Sequence, residues 1–246
     1  MGRAAEKHSA MPEEPPQSPV SDLIRVLVWS EGSEPRDVYG DGIRDAIADH
    51  LRQTQPDMVV RTESANHPGG GVSADDLDNA DVLVWWAHVC HNEVSDEAAD
   101  RIARRVTDGG MGFVALHSAN RSKPLQRILS ASGAIAGTVL DAGPEQVRTL
   151  LPDHPIARNV PPVFTLPREE SWREPFDLPP PDARVFESHF PDQNESATFA
   201  LGGACWTRGR GRVFFFRPGH ETYPTYLDPN VRQVIANACR WAAQRP

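Results

Sequence analysis

The chain has 246 residues and a formal net charge of −9 at pH 7, from 25 basic and 34 acidic side chains. This length is enough for one large α/β domain or two small ones. The negative charge argues against a nucleic-acid or acidic-membrane surface, which would need a basic patch. No apolar run approaches the roughly 20 residues of a membrane span. We therefore expect neither a nucleic-acid nor a membrane partner, while a homo-oligomer remains open.

The beginning of the chain differs in composition from the rest. Residues 1–21 carry four prolines among polar and acidic residues and offer no apolar surface to bury, which predicts a disordered tail. They lack the charged-then-apolar pattern of a signal peptide. The three cysteines, Cys90, Cys205 and Cys239, are too scattered for a disulfide framework. We therefore expect a cytoplasmic protein.

From residue 24 onward, short apolar runs alternate with helical patterns. The runs at 24–29, 58–60, 82–86, 112–116 and 212–217 are predicted strands. Helices are predicted after the capping residues Asp41, Ser73, Ser95 and Asp228, and over 123–129. The helix after Ser95 is the clearest, because acidic residues fill its first turn and arginines lie near its end, the charge order that the helix dipole favours.

The segment 133–203 gives a weaker signal. Its many prolines break it into short strands and long turns. We interpret it as an insertion packed beside the same sheet, so that residues 22–246 form one domain; a domain boundary near residue 140 is the alternative.

This alternation of strands and helices predicts βαβ units with right-handed crossovers. The fold class is therefore α/β, with a doubly wound, mainly parallel, flavodoxin-like sheet.

Three predicted strands are followed by histidine. His88 and His91 follow 82–86, His117 follows 112–116, and His220 follows the strand ending at 217. In a parallel sheet these imidazoles would all lie at the carboxyl edge, where open α/β sheets bind ligands. Histidine is a common metal ligand and the usual acid or base near neutral pH. We predict a divalent-metal site, with zinc as one choice, held by His88, His117 and His220, with His91 at the rim or as a further ligand. The competing interpretation has these histidines packed under loops and bonded to backbone carbonyls.

Carboxylates and tryptophans supply further candidates. Glu169 and Glu170 could act as a base beside a metal or sugar, together with His91, although a solvated surface pair of glutamates is an equal interpretation. Trp29 and Trp86 could provide a stacking surface for a sugar ring, although Trp85 and Trp86 must point to opposite faces of their strand. Cys90 is interpreted as a buried, inert thiol. Ser118 lacks the flanking glycines of a serine-hydrolase elbow, so a serine hydrolase is not expected.

Several motifs together resemble one known family. They are Trp85-Trp86-Ala87-His88, His91-x-Glu93-Val94, Leu116-His117-Ser118, His154-Pro155-Ile156, Glu174-Pro175-Phe176-Asp177, and the stretch from Arg208 to Pro224 that includes Arg217-Pro218-Gly219-His220-Glu221. This set resembles the ThuA-like (trehalose utilisation) family over residues 24–243. The chain departs from the common pattern at Arg44 and Asn120, where histidine is frequent in the family.

The resemblance implies the fold of class I glutamine amidotransferases, in agreement with the strand–helix alternation. Those enzymes carry a cysteine nucleophile at the position that matches His117, so glutaminase chemistry is not expected. Beside the metal ligands we assign substrate binding to Trp29, Trp86, Ser118, Glu221 and Tyr223.

The resemblance also implies a role in disaccharide catabolism. We expect metal-assisted chemistry on a small-molecule sugar, a disaccharide or its keto derivative, by a hydrolase or isomerase. The alternative is a non-catalytic ligand-binding or scaffold protein that kept the amidotransferase-like shape and lost the nucleophile. A cysteine amidase acting through Cys90 is a third hypothesis.

Overall fold

The computed structural model describes residues 23–191, 193 and 199–245, so the tail predicted over residues 1–21 lies outside the described residues. The strands are β1 Ile24–Ser30, β2 Met58–Ser64, β3 Val82–Trp86, β4 Gly112–Leu116, β5 Ile135–Val139, β6 Glu145–Thr149, β7 Val163–Leu166, β8 Ser171–Phe176, β9 Ala183–His189, β10 Phe199–Arg208 and β11 Gly211–Phe216. The α-helices are α1 Arg36–Tyr39, α2 Ile43–Thr54, α3 Ala74–Asp78, α4 Asp96–Thr107, α5 Lys123–Leu129 and α6 Pro229–Ala242. Short 3-10 turns cover Pro68–Gly71, His91–Glu93, His117–Arg121, Pro155–Ala157 and Thr225–Leu227.

Nine strands of the described chain form one sheet in the order β2-β1-β3-β4-β11-β10-β9-β6-β7. The first five are mutually parallel, and the last four continue the sheet in antiparallel fashion. The predicted strands 82–86 and 112–116 are neighbours, and the first strand lies beside 82–86. The α/β fold class is confirmed.

Helices cover both faces of the parallel half. Apolar residues of α2 and α6 form one buried cluster with one face of the sheet, and those of α3, α4 and α5 form a second cluster with the other face. Trp86 belongs to the first cluster and Trp85 to the second, as their adjacent positions in a strand require. Since both faces are covered, the central strands are continuous apolar runs.

The proline-rich segment adds strands to the sheet. β6, β7 and β9 extend it beyond β10, and β5 pairs with β8 in a separate two-stranded sheet. The insertion therefore shares the central sheet.

Most predicted caps are present, but the one at Asp41 is wrong. The side chains of Ser73, Ser95 and Asp228 accept hydrogen bonds from the first turns of α3, α4 and α6. Helix α2 instead begins after Gly42, and Glu34 accepts from the Ile43 N–H at 2.7 Å. A carboxylate nine residues before the helix thus replaces the local cap, because the preceding turn folds back onto the helix N-terminus. Among the described residues, none of the helices is both long and apolar enough to cross a membrane.

Candidate functional site

Three imidazoles lie close together at the carboxyl ends of three neighbouring parallel strands. His88 follows β3, His117 follows β4 and His220 follows β11, and these strands are adjacent in the sheet. The ring centroids lie 4.9 Å apart for His88 and His220, 5.4 Å for His117 and His220, and 5.6 Å for His88 and His117. One potential ligand atom from each ring lies within 4.8 Å of the others. The spacing is suited to a single cation between the three rings.

His117 occupies a tight turn at the end of β4. Its φ of 51° places it in the left-handed region, which is uncommon for a residue with a side chain and is found at functional turns. The residue is fully buried, and its Nδ1 lies 2.9 Å from the carbonyl oxygen of Arg217. A carbonyl can only accept, so Nδ1 carries the proton and a neutral ring has its lone pair on Nε2. This nitrogen has no hydrogen-bond partner among the described residues.

Two carboxylates border the imidazoles. Glu170 Oε2 lies 3.4 Å from His117 Nε2 and accepts from Trp172 Nε1 at 2.7 Å. Glu221 lies 3.6 Å from ring nitrogens of both His88 and His220. Burial alone would raise the pKa of Glu170, but the contacts with His117 and Trp172 outweigh it and lower that pKa to about 2. The site therefore places negative charge beside the imidazole nitrogens.

Burial lowers the pKa of both His88 and His220 below the ordinary histidine value, and His117 adds to the effect, while Glu221 and Glu170 oppose it. Burial and the repulsion from His117 favour the neutral rings of His88 and His220 near neutral pH. Neutral imidazole is the form that binds a metal.

Glu169 and Glu170 do not form a solvated surface pair, so that interpretation is wrong. They are 0 % and 5 % exposed. The oxygens of Glu169 accept from the backbone of Gly219 at 3.1 Å, from the backbone of His220 at 3.4 Å and from the Thr225 hydroxyl. Burial raises the pKa of Glu169 to about 6, with Glu145 adding to the effect and Arg217 opposing it. Glu169 thus holds the turn that carries His220, whereas Glu170 reaches the imidazoles.

A buried arginine holds two residues of the site, His117 and Glu170. Arg217 directly follows β11, is fully buried, and forms an ion pair with the equally buried Glu145. It donates to Ser188 Oγ at 2.9 Å and to the backbone carbonyl of Glu170. Because its own carbonyl accepts from His117, one residue positions His117 and Glu170 together.

The structure places His91 beside the three-histidine cluster and outside it. His91 begins the 3-10 turn His91–Glu93 and is absent from the set of ligand atoms that converge. Both ring nitrogens are buried without a hydrogen-bond partner in the described chain, and burial lowers the pKa of His91 to about 4. Its role as acid, base or further ligand stays a prediction.

The residues assigned to substrate binding divide into two groups. Ser118 lies 2.8 Å from His88 Nδ1, and the Tyr223 ring centroid lies 5.5 Å from that of His220, so both border the cluster with Glu221. Trp86 is 1 % exposed and donates to the Gly219 carbonyl, so it packs beneath the His220 turn. Trp29 is 2 % exposed and stacks on Trp85 with centroids 3.7 Å apart, away from the three histidines. Neither indole presents an open face beside the three histidines.

Three residues that support the site were not predicted from the sequence. Glu31 directly follows β1, and its carboxylate accepts from the backbone of Val89 at 2.8 Å and of Cys90 at 3.0 Å, which holds the loop after His88. Its position after an apolar strand was an available signal. Arg217 stood within a quoted motif and Glu145 within the proline-rich segment, where no local pattern marked it.

Cys90 is partly exposed, so its interpretation as a buried thiol is wrong, yet none of the three cysteines has the properties of a nucleophile. Burial raises the pKa of the Cys90 thiol, and Glu31 and Glu93 raise it further. Cys205 and Cys239 are buried, and burial raises their pKa values as well, to about 12 for Cys239. The turn after β4 carries His117, whereas glutaminase chemistry would require a cysteine there.

Comparison with solved structures shows the same fold. A ThuA-like protein from Bacteroides uniformis matches with a TM-score of 0.65 at 14 % identity, covering 94 % of this chain and 95 % of that one. A protein from Salmonella typhimurium described as cytoplasmic matches with a TM-score of 0.64 at 14 % identity, over 89 % and 99 % of the two chains. A glutamine amidotransferase from Thermotoga maritima matches with a TM-score of 0.57 at 13 % identity, over 90 % and 98 %. No curated protein sequence matches. The model of the ThuA family, described as trehalose utilisation, matches residues 25–242, and the chain belongs to this family.

Proposed function

We propose that the protein acts in sugar metabolism and that His88, His117 and His220 hold a divalent cation used in chemistry on a disaccharide or its keto derivative. The proposal combines the trehalose-utilisation family with the convergence of three imidazoles at the carboxyl edge of the sheet.

One observation carries the metal proposal. His117 donates Nδ1–H to a backbone carbonyl, and its other nitrogen faces Glu170 Oε2 at 3.4 Å with no donor between them. A carboxylate at this distance favours a proton or a cation beside the ring nitrogen. Two further imidazoles meet at the same point, so a cation satisfies all three rings and the carboxylate together.

The donor set fits zinc or a similar divalent ion. Catalytic zinc is typically held by three protein ligands, with a fourth position left for water or substrate. Such an ion would polarise a carbonyl or activate water. Among the chain's own groups, Glu221 is the carboxylate placed to accept a proton, because the low pKa of Glu170 makes it a weak base. Ser118 orients His88 through a hydrogen bond. Both oxygens of Glu169 are engaged by the His220 turn, which suits it to positioning.

A specific observation favours the alternative, a non-catalytic binding protein. His117 and His220 are 0 % and 6 % exposed, which leaves little room for a substrate beside them in this conformation. A protein that only binds a sugar would still keep this fold.

Metal content tests the proposal directly. The purified protein is supplied with zinc, manganese or nickel and dialysed, and bound metal is measured by plasma mass spectrometry for the parent and for His117→Ala. His67→Ala serves as the matched control, because the His67 side chain is 46 % exposed and lies outside the cluster. We expect about one metal per parent or control chain and a 10-fold or greater loss in His117→Ala. A metal-free parent, or equal content in all three proteins, would leave the binding-protein alternative ahead.

The remaining parts of the proposal concern place and partners. We propose a cytoplasmic protein whose partner is a small sugar, supported by the fold shared with a Salmonella typhimurium protein described as cytoplasmic and by the net charge of −9. Trehalose binding, followed by saturation-transfer NMR, tests the substrate class.

A further inference from the structure

A cleft lies beside the three histidines and is not formed by them. Its volume is about 400 Å³, within the range of roughly 300–1,000 Å³ typical of small-molecule sites. It opens at the carboxyl ends of β1 and β3, between the loop after β3 and the start of α4. None of the three clustered histidines is among its described lining residues.

One loop separates the cleft from the histidine cluster. His88 faces the other imidazoles, while Cys90, Glu93 and Val94 of the following segment line the cleft. Glu31, which also lines the cleft, accepts hydrogen bonds from the loop backbone at Val89 and Cys90. A ligand in the cleft would therefore touch the residue that fixes the His88 loop.

The chemistry of the walls selects a class of ligand. Glu31, Glu93 and Glu97 bring three carboxylates against a single cation, Arg101, which is engaged with the Val72 carbonyl at 2.9 Å. This excess of negative charge disfavours a phosphorylated or other anionic ligand. The Glu97 side chain makes no hydrogen bond or ion pair within the described chain. Carboxylates of this kind accept hydrogen bonds from hydroxyl groups.

The cleft also has apolar walls and an unused donor. Ala65 and Val72 line it together with the stacked pair Trp29 and Trp85. The Nε1 of fully buried Trp85 has no hydrogen-bond partner among the described residues, which is costly for an indole. Apolar surface interleaved with acceptors suits the alternating C–H and O–H groups of a sugar.

We propose that this cleft binds a neutral, unphosphorylated sugar ring, next to the loop that presents His88. The inference rests on the proposed function and deepens it, since it assigns the polyhydroxylated part of the substrate to a site outside the nearly closed histidine cluster.

Cys90 provides a direct readout, because it lines the cleft and is partly exposed, whereas the other two cysteines are buried. The rate of Cys90 alkylation by iodoacetamide is measured by mass spectrometry with trehalose, with glucose 6-phosphate or with putrescine. We expect trehalose to slow alkylation at least threefold and the other two compounds to leave it unchanged. An unchanged rate with trehalose, or protection only by the anionic or the cationic compound, would overturn the proposal.

A variant that narrows the cleft gives a second test. Ala65→Leu adds bulk to the wall, and Ala134→Leu makes the same change at an exposed position outside the cleft. We expect Ala65→Leu to weaken trehalose binding about tenfold and to keep the metal content and melting temperature of the control. Equal sugar affinity in both variants would contradict the cleft assignment. A parent that binds no metal but is protected by trehalose would refute the metal proposal and leave this inference standing.

Discussion

Replacing Arg217 by methionine should destabilise the protein severely. The arginine and Glu145 are both fully buried and form an ion pair beneath the site, and the guanidinium also donates to Ser188 and to the Glu170 carbonyl. Methionine fills much of the space but supplies no donor. It leaves a carboxylate buried without its partner, a loss that typically costs about 3–5 kcal/mol. For a chain of this size, each kcal/mol lowers the melting temperature by about 2–4 °C.

Urea unfolding followed by circular dichroism measures this loss. The double variant Arg217→Met with Glu145→Gln removes the unpaired charge, so it should recover a substantial part of the stability lost in the single variant. Arg240→Met is the matched control, because its ion pair with Asp57 is partly exposed and should contribute about 1 kcal/mol or less. If Arg217→Met unfolds within 1 kcal/mol of the parent, or if the double variant is no better than the single, the buried pair does not stabilise the site as argued.

Three further predictions concern stability and reactivity. Ser95→Ala removes the cap of α4 and should lower the free energy of unfolding by about 1 kcal/mol, measured in urea; an unchanged midpoint would show that water replaces the cap. In the native protein a thiol reagent should modify Cys90 but not the buried Cys205 and Cys239, and all three should react in denaturant; rapid native reaction of more than one thiol would contradict the burial. Burial tends to raise the pKa of Asp81, but its arginine partner outweighs this and lowers it, so the pair stabilises the fold above pH ~4 and loses this contribution as pH falls through the folded pKa. The stability difference between the parent and Asp81→Asn should therefore shrink between pH 7 and pH 3. A difference that grows as the pH falls would contradict the lowered pKa of Asp81.

Local patterns along the chain predict the parallel half of the fold and the place of the clustered histidines in the sheet. Continuous apolar runs mark strands buried on both faces, and the residue after such a run must emerge at the carboxyl edge. This local rule was enough to place His88, His117 and His220 at one edge before their distances were known.

The groups that surround these histidines follow from contacts between distant segments of the chain. Glu169 and Glu170 become buried because β6 and β9 bring the proline-rich segment back onto the sheet, a pairing between segments about 40 residues apart. The same long-range pairing supplies Glu145 to Arg217, and Glu34 replaces the expected cap at Asp41. Trp29 and Trp86 are apolar at strand positions whether they stack on a ligand or on the core, so local pattern cannot separate the two. The periodicity of apolar residues indicates which residues are buried. The partners of each buried residue depend on contacts between distant segments, and those contacts decide which groups reach the site.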